Sequence, residues 1–129
     1  MQTNKDNLIV ELSFGFALLI IDFTTLLEQM KKFSLANQLF RSGTSIGANI
    51  REAQNAESKI DFIHKLKLAA KEADETEYWL LICKHAPLLP TPGSLLSKLE
   101  SIQKVLSKII ASTKKIIQST NNQINKSSN

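Results

Sequence analysis

The sequence predicts an all-α protein folded as an antiparallel up-down four-helix bundle. Apolar residues recur every three or four positions in four long stretches, which is the period of an α-helix. The 129-residue chain has only four glycines and three prolines, too few for the many turns of a β-sandwich or barrel. The links between the four stretches are short, so successive helices are expected to be antiparallel neighbours.

The length suits one domain, which we place at residues 1–118. The helices are predicted at about residues 7–32, 34–56, 58–85 and 94–118. Residues 119–129 are polar and lack an apolar period, so they are predicted to form a disordered tail.

The first predicted helix carries apolar side chains on two sides. One stripe consists of Leu8, Leu12, Phe16, Leu19, Phe23, Leu26 and Met30. The second set consists of Val10, Phe14, Ala17, Leu18 and Ile21. A helix that closes a small bundle needs one stripe, so the second set is predicted to contact another subunit. The longest uncharged apolar stretch, residues 13–21, is about half of the ~20 residues that a membrane helix needs, and no membrane association is expected.

The second predicted helix is expected to begin at Ser34 as its N-cap and to pack closely on a neighbour. Its apolar stripe consists of Leu35, Leu39, Ile46, Ile50 and Ala53. Gly43 and Gly47 lie beside this stripe, and each costs roughly 1 kcal/mol relative to alanine in a helix interior. Two such glycines, four residues apart, predict the close approach of a neighbouring helix backbone.

The third predicted helix begins with Ser58 as N-cap and Asp61 three residues later. Its apolar arc consists of Phe62, Leu66, Ala69, Ala73, Thr76 and Leu80. Glu77 falls inside this arc, and a buried carboxylate needs a donor. We therefore predict an interhelical polar clip formed by Ser42, Ser45, Asn49 and Glu77. The alternative is that Glu77 recognises a ligand or a partner.

The last predicted helix concentrates positive charge. Its inner face consists of Leu95, Leu99, Ile102, Leu106, Ile109, Thr113 and Ile116. Lys104, Lys108 and Lys115 lie on the opposite side, with Lys114 beside them. Residues 86–129 carry six basic and one acidic residue, so the net charge of +4 comes from this third of the chain. The asymmetry indicates an anionic partner, RNA or DNA. The alternative is a solvated lysine face without a ligand.

The sequence gives little support for a catalytic site or a metal site. Residues 43–47 match the G-x-S-x-G nucleophile motif, but they lie within a helical pattern and not between a strand and a helix. His64, Cys83 and His85 lack the spacing of metal ligands, and no phosphate-binding glycine motif occurs. We expect no enzymatic activity, no cofactor and no metal. The single cysteine and the lack of a secretory signal favour the cytoplasm.

A segment across the second and third predicted helices carries a recognisable pattern. It consists of Ser42, Ser45, Ile46, Asn49, Ile50 and Glu52, then Ser58, Asp61 and Phe62, then Asp74, Glu77 and Tyr78. This pattern resembles the four-helix-bundle family encoded in intervening sequences of bacterial large-subunit ribosomal RNA genes, over about residues 8–118. Many members carry glycines where this chain has Ala53 and the link Gln54-Asn55.

The resemblance implies an up-down bundle that assembles into a homo-oligomeric ring, commonly a homopentamer, without enzymatic activity. A related protein, the accessory variability protein of diversity-generating retroelements, binds nucleic acid and a reverse transcriptase through basic surfaces. The predicted function is therefore a homo-oligomeric bundle that binds RNA or DNA non-specifically. The alternative is an oligomeric adaptor for a reverse transcriptase or another protein, with no nucleic-acid role.

Overall fold

Four α-helices pack in chain order around one apolar core. The computed structural model describes the backbone of residues 4–127 and the side chains of residues 8–125. The helices are α1 (Asn4–Gln29), α2 (Phe33–Ala53), α3 (Lys59–His85) and α4 (Leu95–Ser127). α2 packs on α1 and α3, and α4 closes the bundle against α3 and α1. The predicted all-α fold of four helices is confirmed.

Contacts between α1 and α2 show that these helices are antiparallel. Gly47 of α2 lies against Ser13 of α1, whereas Gly43 lies against Ile20. A β-carbon on Gly47 would sit 3.4 Å from the carbonyl oxygen of Ser13, and one on Gly43 would sit 2.8 Å from Ile20 Cγ1. The close approach predicted from the two glycines is confirmed, with α1 as the neighbour.

The apolar stripes of α2 and α3 agree with the predictions. The buried members are Leu39, Ile46, Ile50 and Ala53 on α2, and Leu66, Ala69, Ala73, Thr76 and Leu80 on α3. The first five predicted inner residues of α4, Leu95 to Ile109, are also buried. Ile116, near the predicted end of that stripe, is exposed.

The stripe predicted for α1 is wrong in its rotation about the helix axis. The residues that α1 contributes to the core are Ile9, Phe16, Ile20 and Leu27, with Ser13 and Thr24 buried beside them. Four predicted core residues, Leu8, Leu19, Leu26 and Met30, are exposed. α1 is apolar around much of its circumference, so periodicity alone does not determine which side faces the core.

The helix ends follow known capping motifs. α1 ends in a Schellman turn, in which Lys32 N donates to the Leu27 carbonyl and Lys31 adopts a φ of +64°. This turn leads directly into α2 at Phe33, so the prediction of Ser34 as N-cap is wrong. Ser58 caps α3 as predicted, because its hydroxyl accepts from Asp61 N at 3.0 Å.

α4 extends beyond its predicted end near residue 118 and continues to Ser127. Residues 118–125 are all exposed, so this part of the helix gains no core burial. The sequence contains no glycine or proline after Gly93 that would stop the helix. Local hydrogen bonds, such as that from Thr120 Oγ1 to the Ile116 carbonyl at 3.0 Å, accompany the helical backbone.

Residues Leu8–Gln29 of α1 are long and apolar enough to cross a membrane by length and composition. This span is longer than the uncharged stretch of residues 13–21 because it includes the charged residues Glu11 and Asp22. Core helices of soluble proteins meet the same criterion. α1 packs Phe16, Ile20 and Leu27 into the bundle core, as such a core helix does.

Candidate interaction surfaces

An open groove of about 200 Å³ lies between α1 and α2 on the outside of the bundle. It is lined by Val10, Ser13, Phe14, Ala17, Thr44, Gly47, Ala48 and Arg51. The side chains around it are mostly small or apolar. The groove can therefore receive apolar side chains of a partner, with the Arg51 guanidinium at its edge as a hydrogen-bond donor.

The five residues predicted to contact another subunit lie along this side of α1. Phe14, Leu18 and Ile21 are 59%, 49% and 40% exposed, whereas Val10 and Ala17 are half-buried. Contiguous exposed apolar surface marks protein–protein contacts more often than single exposed residues do. Contact with a second subunit stays a prediction for these five side chains.

α2 adds two exposed aromatic residues that the sequence analysis missed. Phe33 and Phe40 are 55% and 45% exposed. With Thr44, Gly47 and Arg51 they are spaced by seven, four, three and four residues, which places all five on one face of α2. Three of these five residues line the groove. We call the surface formed by Val10, Phe14, Ala17, Leu18, Ile21, Phe33 and Phe40 the α1–α2 apolar face.

A second surface carries the predicted lysines. Lys104, Lys108 and Lys115 are exposed on the side of α4 opposite its buried stripe. Lys104 Nζ forms an ion pair with Glu100 Oε1 at 3.2 Å on the same helix. Among the described side chains, no acidic group pairs with Lys108 or Lys115. We call these three residues the α4 lysine face.

Lys114 lies apart from this face, on the side of α4 toward α3. The positive charge of Lys67 on α3 lowers the pKa of Lys114, mainly by Coulomb repulsion. The structure therefore separates Lys114 from the three lysines with which it was grouped and pairs it with a residue that the sequence analysis did not single out.

The polar clip between α2 and α3 uses a different residue of α3 from the one predicted. Thr76 Oγ1 lies 2.9 Å from Ser42 Oγ and 2.7 Å from the Glu72 carbonyl oxygen. Ser45 and Asn49 instead form hydrogen bonds within α2, to the carbonyl groups of Arg41 and Ser45. Ser42 was thus identified correctly as part of an interhelical contact.

Glu77 was the wrong partner because of its position on the helix. It is one residue after Thr76, a rotation of about 100°, so it points away from α2 and lies on the flank toward α4. It is half-buried and accepts no hydrogen bond from Ser42, Ser45 or Asn49 among the described residues. Partial exposure to water reduces its need for a protein donor.

Replacing Thr76 with valine should lower the free energy of unfolding by about 1–3 kcal/mol, because the buried Ser42 hydroxyl loses its interhelical partner. The double variant S42A/T76V should recover part of this loss, since neither buried hydroxyl then remains. Urea unfolding of S42A, T76V and S42A/T76V, compared with wild type, gives the double-mutant cycle that measures the coupling of the two residues. Additive effects of the single changes would show that Ser42 and Thr76 are not coupled.

A cluster of charged and aromatic side chains also joins α2 to α3. Arg41 Nη1 donates to Glu72 Oε2 at 2.9 Å, and its other terminal nitrogen binds Glu75. Trp79 Nε1 donates to Glu75 Oε2 at 3.0 Å. The bond from Trp79 and then those from Arg41 hold the pKa of Glu75 below its usual value. This cluster was not predicted from the sequence, although Glu72, Glu75 and Trp79 follow helical spacing.

The residues considered for catalysis or metal binding do not come together. Residues 43–47 lie in the middle of α2, so Ser45 is not on a strand-to-helix turn. Its hydroxyl donates to the Arg41 carbonyl at 2.5 Å. His64 and His85 are exposed, and burial raises the pKa of the Cys83 thiol. Within residues 8–125, no three His, Cys, Asp or Glu side chains form a group that could hold a metal.

The fold and these surfaces define a class of protein: a small all-α bundle of four helices with one exposed apolar face and one exposed lysine face. The chain belongs to the 23S rRNA-intervening sequence protein family, whose model matches residues 5–108. This confirms the family resemblance noted in the sequence.

One solved structure extends the comparison. A crystal structure of a protein with unknown function from the S23 ribosomal protein family of Bacteroides thetaiotaomicron VPI-5482 is 43% identical to this chain, with a TM-score of 0.78. The match covers 83% of this chain and 98% of the other. No curated protein matches the chain.

Proposed function

We propose that this chain is a non-enzymatic protein that assembles with copies of itself through the α1–α2 apolar face and binds RNA or DNA through the α4 lysine face. Membership of the 23S rRNA-intervening sequence protein family is consistent with such a role. The observation that carries the nucleic-acid part is the set of three exposed lysines, two of them without acidic partners among the described side chains.

The spacing of these lysines suits a nucleic-acid strand. Lys104 and Lys115 are eleven residues apart, which is about 16 Å along a helix. A strand presents a phosphate about every 3.4 Å along the helix axis of a duplex, so several phosphates fall within this length. Because lysine contacts to phosphates carry no base information, the binding is expected to be indifferent to sequence.

Base stacking is not expected to add to this binding. Tyr78 and Trp79 are on α3, where their rings form an edge-to-face pair with centroids 5.1 Å apart. The indole nitrogen of Trp79 is already bonded to Glu75. A stacking platform for single-stranded bases needs aromatic faces beside the basic surface, and the α4 lysine face contains only lysines.

Self-assembly is supported by the α1–α2 apolar face, where five large apolar side chains are 40% or more exposed in the single chain. Covering them with a second copy would remove this area from water. We expect a closed ring, as in the pentamers that the family resemblance implies. A ring repeats the lysine face on every subunit and produces an extended positive surface.

Changing Lys104, Lys108 and Lys115 together to glutamate should abolish oligonucleotide binding, because the surface that attracts phosphates becomes acidic. Fluorescence anisotropy of a labelled oligonucleotide across a salt series measures this. Wild type should bind at micromolar concentration at about 50 mM salt, and its affinity should fall steeply as the salt concentration rises. All three side chains are exposed, so the fold should be unchanged by circular dichroism. No binding by wild type, or equal binding by the triple variant, would contradict the proposal.

The second candidate function is an oligomeric adaptor for another protein, such as a reverse transcriptase. The observation that favours it is the pair of exposed aromatic residues, Phe33 and Phe40, because aromatic side chains are enriched in protein–protein interfaces. If wild type does not bind oligonucleotides at low salt, the adaptor function becomes the better explanation of the two surfaces.

A further inference from the structure

α3 and α4 pack against each other, and we call the outer surface along their line of contact the α3–α4 cleft. Gln103 Nε2 of α4 donates to Asp74 Oδ1 of α3 at 3.4 Å across this cleft. Lys67 lies seven residues before Asp74, and Lys114 lies eleven residues after Gln103, which are about two and three whole helical turns. Because the two helices are antiparallel, both steps lead in the same direction. Lys67 and Lys114 therefore lie on the same cleft, near each other.

Lys67 and Lys114 are both exposed, and no acidic group among the described side chains pairs with either of them. The lowered pKa of Lys114, caused chiefly by the charge of Lys67, agrees with their close approach. Two like charges held together are electrostatically unfavourable, and an anion between them would remove this repulsion.

We propose that Lys67 and Lys114 form a two-sided phosphate site in the α3–α4 cleft, which binds a backbone phosphate of the nucleic acid. A phosphodiester has two non-bridging oxygens that share one negative charge, so each ammonium donates to one of them. Lys115, the next residue on α4, belongs to the α4 lysine face, so a strand can pass from that face to the cleft. The inference rests on the proposed function and adds a second helix to the binding surface.

The experiment compares K67Q/K114Q with the matched control K84Q/K98Q. Each variant removes one charge from α3 and one from α4. Lys84 and Lys98 are exposed and lie 17 and 16 residues from the proposed site, about 25 Å along the helices. For a labelled single-stranded oligonucleotide, the slope of log affinity against log salt should decrease in magnitude by about 0.7 in K67Q/K114Q, as for one lost phosphate contact. The control should retain the wild-type slope.

The outcomes separate this inference from the proposed function. Oligonucleotide binding by wild type with an unchanged slope in K67Q/K114Q, or an equal decrease in the control, overturns the phosphate site and leaves the proposed function intact. If wild type binds no oligonucleotide, the proposed function fails, and inorganic phosphate alone is then titrated while the NMR signals of the Lys114 side chain are followed. A saturable shift that is lost in K67Q supports a free-phosphate site and overturns the nucleic-acid occupant. No shift overturns the site itself.

Discussion

Replacing both Phe14 and Ile21 with glutamate is expected to convert the assembled protein into monomers of 14.4 kDa. Both side chains are exposed in the single chain and lie on the α1–α2 apolar face, so the core of the monomer is not altered. In the assembly each new carboxylate would be buried without a partner, which costs several kcal/mol per charge. Light scattering should show a wild-type mass several times that of one chain and a variant mass of one chain.

The matched control is I60E/L88E, which places two carboxylates at exposed apolar positions outside the α1–α2 apolar face. Ile60 lies in the first turn of α3, and Leu88 lies in the loop before α4. This variant should keep the wild-type mass. A monomeric wild type at micromolar concentration, or an F14E/I21E variant that stays assembled, would refute self-association through this face.

Replacing Gly43 with valine is expected to lower the free energy of unfolding by about 1–3 kcal/mol. A β-carbon at this position would lie 2.8 Å from Ile20 Cγ1 and 2.9 Å from Ile20 Cγ2. Ile20 is completely buried and β-branched, so its side chain has no alternative position without moving α1. Valine adds two more carbons to the same space. Urea unfolding at a fixed protein concentration measures the effect, because the proposed assembly would make stability depend on concentration.

Gly15 on α1, unlike Gly43, has space for a side chain. Nothing lies within 4 Å of a β-carbon built on it, so Gly15→Ala removes the conformational cost of a glycine without a clash. This variant should raise the free energy of unfolding by as much as about 1 kcal/mol. If valine at position 43 leaves stability unchanged, α1 and α2 are not packed as closely as the structure shows.

The helices with one apolar side could be predicted from the sequence almost completely. On α2 and α3, residues such as Leu39, Ile50, Leu66 and Leu80 recur at helical spacing, and most of the remaining positions are polar, with exceptions such as Phe40. The pattern therefore determines both the existence of each helix and the side that faces the core. Ser58 was predictable as N-cap for a similar reason, because a cap is a local contact between residues close in sequence.

α1 could not be predicted to the same degree. Leu19 and Ile20 are adjacent and equally apolar, yet Leu19 is exposed and Ile20 is completely buried. The contact with α2 decides between them. Gly43 has no side chain, so the Ile20 side chain fits against the α2 backbone at this position. The side of α1 that faces the core therefore depends on a contact between residues distant in sequence. The periodicity within one helix carries no information about such a contact.

The interhelical contacts were predictable in part. Ser42 was proposed as one of three donors for Glu77, since a buried carboxylate needs a hydrogen bond. In the structure Ser42 contacts the hydroxyl of Thr76 instead, because Thr76 and not Glu77 lies on the side of α3 that faces α2. The Arg41 contacts with Glu72 and Glu75 required the rotation of α2 relative to α3, which only the structure supplies.

The order of the helices has a consequence for the speed of folding. α1, α2 and α3 pack most extensively on their neighbours in sequence, and within residues 4–127 the contact between α1 and α4 is the one between helices far apart in the chain. The α1–α2 connection is the short turn around Lys31, so little loop-closure entropy is lost before these helices meet. Chains dominated by such local contacts fold in microseconds to milliseconds, well ahead of all-β domains of comparable stability. In the proposed assembly, each subunit would complete its own core before it encounters another copy, and association would be the slow, concentration-dependent step.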